Sequence, residues 1–286
     1  MTAHHSPRRL SEALRILADS PGAMPVAGCT DLMVVDHATG RHHAAVVDVL
    51  KLPELRGIHL SDAGLDIGAA TTFTQLRGDA QIRAHAPILA EIAGTIGALQ
   101  IQNRATLGGN IANASPAGDS LPVLLALGAS LVLAGPTGER EVPYDAFHLG
   151  YRKTALRPGE LITRVRIPKA GADAFTAVKK VGTREAQAIS KVLVAFYAET
   201  AGGRLGEVRI GAGSVAATPV RLRDTEALIT GQRVTDGLAR DAAETARREV
   251  TPIDDVRSSA PYRHFALGQV VLRMVMEAGA RADGRR

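Results

Sequence analysis

The stretch from Ala105 to Leu133, ATLGGNIANASPAGDSLPVLLALGASLVL, constrains this chain more than any other. It opens on a hydroxyl residue, Thr106, a glycine pair, Gly108 and Gly109, and two asparagines, Asn110 and Asn113. A turn at Ser115-Pro116-Ala117-Gly118, the acid Asp119 and a long apolar run follow. Paired glycines permit φ > 0 and a close backbone approach to a ligand. Successive N–H groups in such a turn form a concavity suited to a phosphate. Asp119 stands where a helix begins, with Leu121, Leu124, Leu125 and Leu127 as its buried face. Two readings are open at this point: a tight turn ahead of a core helix, or an anion site built on that turn.

A second stretch repeats the logic. Met24-Pro25-Val26-Ala27 reads as a short strand that runs into Gly28-Cys29-Thr30-Asp31, after which Leu32-Met33-Val34 starts a helix. Small residues after a strand leave N–H groups aimed at whatever sits above them. Alone, this is an ordinary strand-to-helix turn; with its counterpart, it suggests two turns clamping one diphosphate from two sides. Neither turn is the GxGxxG of a dinucleotide fold or a Walker loop. No Ser–His–Asp grouping or carboxylate pair stands out, and His42-His43, His59, His85, His148 and His264 are scattered. A chain with so little acid–base equipment points to a cofactor that carries the chemistry.

Composition narrows the class. A chain of 286 residues with 45% hydrophobic and 22% charged content fits two or three ordinary globular domains. The net charge of +5 is spread out, with local density only at Arg247-Arg248 and from Arg281 to Arg286, and Trp is absent. That argues against a nucleic-acid surface. Cys29 is the only cysteine, which excludes an internal disulfide and any cysteine-held iron–sulfur or zinc centre on this chain; no HExxH metal spacing occurs either. MTAHHSPRRL lacks the apolar core of a signal peptide. The longest uncharged stretch, from Ser120 to Gly138, is broken by Pro122, Gly128, Gly135 and Pro136, so no membrane span is expected. The expected location is cytoplasmic.

Along the chain, periodicity predicts a helix over 7–19 capped by Ser6 or Ser11, a strand over 45–49, and a hairpin of 58–60 with 65–67. Helices over 74–82 and 87–96 precede the glycine pair. A hairpin of 130–134 with 140–142 and a strand over 160–167 follow it. Beyond the small polar segment Lys169 to Asp173, three strands (174–181, 189–197, 206–212) and three helices (224–230, 236–250, 262–280) suggest a sheet covered on one face. The expected fold class is α+β, with units at 1–50, 51–169 and 170–286.

AGCTDLM at 27–33 and TLGGNIANASPAGDSLPVLLAL at 106–127 resemble the two diphosphate motifs of the FAD-binding subunits of molybdenum hydroxylases. That family includes xanthine dehydrogenases, aldehyde oxidoreductases and carbon monoxide dehydrogenases. The resemblance extends to Gly150-Tyr151-Arg152-Lys153-Thr154, Glu160 to Pro168 and Lys179…Arg184-Glu185, and so spans nearly the whole chain in matching order. It implies a two-subdomain FAD-binding fold of the vanillyl-alcohol-oxidase-like (PCMH) type and a smaller C-terminal α+β domain. It also implies roles for residues. Val26, Ala27, Gly28, Cys29, Thr30 and Asp31 would wrap the diphosphate from one side, and Thr106, Gly108, Gly109 and Asn110 from the other. Asp119 would hydrogen-bond the ribityl or ribose part. Ile96, Ile162 and Lys179 would lie against the cofactor, and Tyr151 would sit where an electron acceptor approaches the isoalloxazine.

The chain departs from the family pattern at Cys29, where a glycine is common. With no cysteines for iron–sulfur clusters and no length for a molybdopterin domain, it is expected to be one subunit of an (αβγ)2 heteromer. A [2Fe-2S] subunit and a large molybdopterin subunit would be separate chains. The implied function is electron transfer from iron–sulfur centres through FAD to NAD+, oxygen, a quinone or another carrier. GYRKT followed by PGELI points to the xanthine dehydrogenase branch. The alternatives from other classes are a flavin-free scaffold subunit of the same fold and a stand-alone flavin oxidase. Intact Gly108, Gly109, Asn110 and Asp119 argue against the first. The absence of a candidate catalytic His or Tyr in the C-terminal part argues against the second.

Overall fold

Short parallel strands open the chain in the computed structural model, which describes residues 2–184 and 187–284; Glu185 and the terminal Arg285 and Arg286 lie outside the described residues. The first unit runs β1 (Ala3–His5), α1 (Leu10–Asp19), β2 (Met24–Val26), α2 (Leu32–Thr39) and β3 (Ala45–Asp48). Its strands lie in the order β1-β3-β2, with both pairs parallel. Ala13 and Leu17 of α1 pack with Val47, Val49, Leu52 and Leu55. α1 starts at Leu10 and has no serine cap; the Glu54 carboxylate accepts the Leu10 N–H at 3.0 Å instead. A long-range acid thus supplies what a local hydroxyl was expected to supply.

The second unit is an antiparallel sheet in the order β4-β5-β10-β6-β7. It is formed by β4 (Ile58–Ser61), β5 (Gly64–Gly68), β6 (Ser130–Gly135), β7 (Gly138–Pro143) and β10 (Leu161–Pro168), with a small hairpin of β8 (His148–Gly150) and β9 (Lys153–Thr154). Between β5 and β6 come six helices: α3 (Phe73–Gly78), α4 (Ala80–His85), α5 (Pro87–Ala93), α6 (Leu99–Gln102), α7 (Leu107–Asn113) and α8 (Ser120–Ala126). The helix expected over 74–82 is split at Asp79, whose carboxylate takes the N–H groups of Gln81 and Ile82 and so starts α4. α8 is buried at every residue from Ser120 to Ala126.

The third unit carries β11 (Ala174–Val181), β12 (Val192–Ala201), β13 (Arg204–Gly213) and β14 (Val220–Arg221) in that order, all antiparallel. α9 (Arg223–Ile229), α10 (Asp236–Arg248) and α11 (Ala260–Ala282) follow. Contrary to expectation, this sheet is covered on both faces. Val192, Val194, Phe196 and Ala198 pack with the alanines of α10 and the apolar stripe of α11. Leu193 and Ala195 join the core of the second unit beside α8. The fit is close: a Cβ on Gly211 would lie 2.0 Å from the Pro122 carbonyl oxygen. A strand buried on both faces loses the polar alternation of a half-exposed one, and Val192 to Ala198 is unbroken in burial. Among the described residues, no helix is long and apolar enough to cross a membrane.

Candidate functional site

The first turn lies flat on the entrance to the second. Gly28 explains how: a Cβ there would meet the Arg104 carbonyl oxygen at 2.0 Å and its carbon at 2.6 Å. Only a residue without a side chain lets Ala27–Asp31 reach residues 104–105. Cys29 follows in a left-handed conformation (φ 59°), with its thiol folded back toward the Ala27 carbonyl at 3.5 Å. Burial pushes this thiol up, Asp48 adds to the effect and Arg104 opposes it. α2 then starts with the Met33 N–H on the Cys29 carbonyl and the Val35 N–H on that of Asp31. Among the described residues, the N–H groups of Gly28, Cys29, Thr30 and Asp31 meet no protein acceptor. A side chain at positive φ costs about 1 kcal/mol that glycine avoids. Cys29→Gly is therefore expected to raise stability by about 0.5–1 kcal/mol, read as a higher Tm.

The second motif is a helix start, which corrects the expectation of a glycine turn. Gly108 and Gly109 lie within α7, and neither has a positive φ. Thr106 is buried and caps the helix by accepting the Gly109 N–H at 3.1 Å. The segment after β5 anchors the motif through three backbone bonds: Phe73 N–H to Ala105, Leu107 N–H to Thr71 and Gly108 N–H to Ala69. Gly108 is needed for packing, since its Cβ would meet Ala69 Cβ at 2.7 Å. Gly109 differs. It is exposed, and its Cβ would meet only the Thr106 hydroxyl. Asn110 accepts from Ser120 Oγ at 2.7 Å through its side-chain oxygen, which leaves its amide N–H groups without a protein acceptor among the described residues. The left-handed residue sits at the other end of α7, at Ala114 (φ 49°).

Arg152 joins the first turn to the end of α7. From the β8–β9 hairpin its guanidinium donates to Asn113 Oδ1 at 3.1 Å and lies 3.8 Å from Asp31 Oδ2. Tyr151, beside it, is 65% exposed. Asp119 precedes α8 but does not cap it. Its carboxylate is buried and bonded to Lys180 Nζ at 2.7 Å and Ser190 Oγ at 2.5 Å. Burial pushes the Asp119 carboxyl up, and Lys180 and Ser190 pull it back. Lys179 is exposed on the opposite face of β11 from Lys180, with Glu91 as a charged neighbour. Ile162 is buried in the core of the second unit, and Ile96 packs half-buried against that core.

The structure therefore brings Val26–Asp31, Arg104 and the start of α7 together, with Asn113 and Tyr151–Arg152 at one edge. Arg104, Lys180 and Ser190 escape a reading of the two turns, because each reaches the site from outside them; Arg152 lies in the Gly150–Thr154 stretch of the resemblance, which assigns a site role only to Tyr151. Among the described residues, no group of His, Cys, Asp and Glu is arranged to hold a metal.

Comparisons with known proteins bear directly on this arrangement. Residues 1–170 match the family described as the FAD binding domain in molybdopterin dehydrogenase, and residues 177–278 match the CO dehydrogenase flavoprotein C-terminal domain. The chain is 33% identical to a putative xanthine dehydrogenase FAD-binding subunit XdhB of Escherichia coli K12, over 99% of this chain and 98% of that one. It is 30% identical to the carbon monoxide dehydrogenase medium chain of Hydrogenophaga pseudoflava, over 97% of each. Among solved structures, a carbon monoxide dehydrogenase chain from Hydrogenophaga pseudoflava superposes with a TM-score of 0.94 at 31% identity, covering 98% of both chains. Quinoline 2-oxidoreductase from Pseudomonas putida 86 gives 0.92 at 26% identity, covering 99% of this chain and 98% of that one. Fold and site thus define an α+β oxidoreductase subunit with FAD as its cofactor, built as an FAD-binding domain followed by a C-terminal domain. The chain belongs to the FAD-binding medium subunits of the molybdenum hydroxylase family, of the xanthine and carbon monoxide dehydrogenase type.

Proposed function

We propose that this chain is the electron-transfer flavoprotein of a heteromeric molybdenum hydroxylase. It takes electrons from iron–sulfur centres on a separate [2Fe-2S] subunit and delivers them to NAD+ or another acceptor, in a cytoplasmic (αβγ)2 assembly with a large molybdopterin chain. Resemblance to the xanthine dehydrogenase relative favours that branch. In this reading residues 1–50 and 51–169 are the two cofactor-binding subdomains, and residues 170–286 are the C-terminal domain.

The observation that carries the proposal is the contact between the first turn and the start of α7: Gly28 seats the turn directly on Arg104–Ala105, one residue ahead of Thr106. The residues there fit an FAD diphosphate. Four N–H groups in 28–31 have no protein acceptor among the described residues, which suits an anion. Opposite roles follow for the two motifs. Val26–Asp31 supplies backbone donors. The Thr106–Asn110 segment supplies open space at Gly109 and the Asn110 amide, because the N–H groups of Leu107, Gly108 and Gly109 are already bonded within the protein. Arg152, held between Asp31 and Asn113, fixes the spacing of the two motifs. Asp119 accepts from a ribityl or ribose hydroxyl; Ile96, Ile162 and Lys179 lie along the cofactor, and Tyr151 flanks the acceptor's approach. Bound there, FAD supplies redox chemistry that no side chain of this protein carries. The protein's own work is to bind, orient and shield it.

Gly109→Leu tests the reading: the added Cβ meets only the Thr106 hydroxyl, at 2.8 Å, so the α7 cap has to shift, and circular dichroism is measured alongside to show that the variant is folded. The expected result is a folded chain whose FAD affinity drops about tenfold or more, measured as the flavin-to-protein ratio after gel filtration. Full FAD stoichiometry in this variant would overturn the proposed diphosphate contact.

A further inference from the structure

The polar cluster around Asp119 spans two domains. Lys180 comes from β11 and Ser190 from the segment leading into β12, whereas Asp119 and Thr95 belong to the FAD-binding domain. The Lys180 ammonium donates to Asp119 Oδ2 at 2.7 Å and to the Thr95 carbonyl at 3.1 Å. Ser190 Oγ donates to Asp119 Oδ1 at 2.5 Å. The side chains of Lys180 and Asp119 are 7% and 8% exposed, and Ser190 is 1% exposed. The Lys191 N–H on the Val181 carbonyl, at 2.8 Å, locks Ser190 in place next to β11.

Simple cohesion between domains explains this poorly. A buried ion pair is often no better for stability than an apolar replacement of the same volume, and apolar packing already joins these domains through Leu193 and Ala195. Nor is Asp119 retained as a helix cap, since its side chain makes no capping bond. A carboxylate offers about four acceptor positions. Lys180 and Ser190 take one on each oxygen, and no other donor within the described residues reaches it, so acceptor capacity remains. Meanwhile Lys180 fixes the carbonyl of Thr95, the residue directly before Ile96.

We propose that Lys180 and Ser190 are positioning residues of the cofactor site. Acting from the C-terminal domain, they aim the Asp119 carboxylate and pin the Thr95–Ile96 segment, so that FAD affinity depends on the docked C-terminal domain. This rests on the reading of Asp119 as a contact to FAD. Lys180, and not its neighbour Lys179, is the cation that acts through Asp119.

The test is the FAD dissociation constant of the full chain, measured by equilibrium ultrafiltration for Lys180→Met, Lys180→Arg, Ser190→Ala, Asp119→Asn and the double variant Lys180→Met/Asp119→Asn. Lys180→Met and Asp119→Asn are each expected to weaken FAD binding about tenfold or more, and Ser190→Ala about three- to tenfold. Lys180→Arg, which keeps the charge, is expected to recover most of the loss. The double variant is expected to bind within about threefold of Asp119→Asn alone, because residues that act through one another do not add. A structural role would lower Tm without this non-additivity or rescue. Wild-type affinity in both Lys180→Met and Ser190→Ala, alongside weakened Asp119→Asn, overturns the inference and leaves the reading of Asp119 intact. Wild-type affinity in Asp119→Asn overturns that reading itself. If Lys180→Met does not fold, Ser190→Ala, which removes one hydrogen bond and no charge, decides the matter.

Discussion

Gly28→Val is expected to yield a chain that folds but does not keep FAD. A Cβ at this position falls 2.0 Å from Arg104 O, 2.6 Å from Arg104 C and 2.9 Å from Ala105 Cα. All three are backbone atoms, and residues 104–108 are themselves tied to Ala69–Phe73, so the second motif cannot retreat. The first turn has to lift instead, carrying its N–H groups away from Gly109 and Asn110. Overpacking of this kind costs about 1–3 kcal/mol of stability. The flavin-to-protein ratio is expected to fall further than stability does, by about tenfold or more, because the clamp depends on the contact of the two turns. Gly78→Ala is the control. Gly78 has open space and an ordinary φ, so this change keeps the flavin and leaves Tm unchanged or slightly raised. An unchanged flavin ratio in Gly28→Val would remove the geometric basis of the two-sided site.

Glu226→Ala is expected to be the most damaging single change to the C-terminal domain. Glu226 is 5% exposed. It accepts from Arg221 through both oxygens, at 2.5 and 2.7 Å, and from the Ile210 N–H at 2.7 Å. Its removal strands a guanidinium that is only 11% exposed and a strand N–H together. Breaking a buried pair from one side costs about 3–5 kcal/mol, which for a domain of this size lowers Tm by roughly 10 °C or more. Scanning calorimetry reads it directly. Replacing both partners with apolar residues, as in Arg221→Met/Glu226→Leu, is expected to restore much of the loss, since the penalty lies in the stranded charge. A single-variant loss below about 1 kcal/mol would show that water compensates the site. The effect on flavin is expected to be indirect, through the packing of β13 on α8.

How much of this was legible in the sequence depends on where each residue gets its partner. The first turn was readable because strand, small-residue turn and helix are consecutive, and each step is local. The helix α7 was not. Gly-Gly-Asn is poor helix-forming sequence, and what makes it helical is tertiary: the Thr106 cap and the carbonyls of Ala69 and Thr71. Glycine at 108 serves close packing, not a left-handed turn, and the positive φ falls at Cys29 and Ala114, where no glycine advertises it. The adjacent lysines teach the same lesson. Neighbouring side chains on a strand point to opposite faces, so which of Lys179 and Lys180 meets Asp119 is a matter of register, and register is set by β12. Likewise Val192 to Ala198 is apolar throughout, and only the docking of α8 shows why both faces need to be. Arg152 has no local partner in the sequence; the hairpin places it between Asp31 and Asn113.

Amide hydrogen exchange on the full chain, with and without saturating FAD, tests the two-sided site most directly. The N–H groups of Gly28, Cys29, Thr30 and Asp31 have no protein acceptor within the described residues and are expected to exchange quickly in the free chain, then slow markedly when FAD binds. Those of Leu107 and Gly108, already bonded to Thr71 and Ala69, are expected to be slow in both states. Slowing confined to other segments, with residues 28–31 exchanging equally fast in both states, would contradict the site.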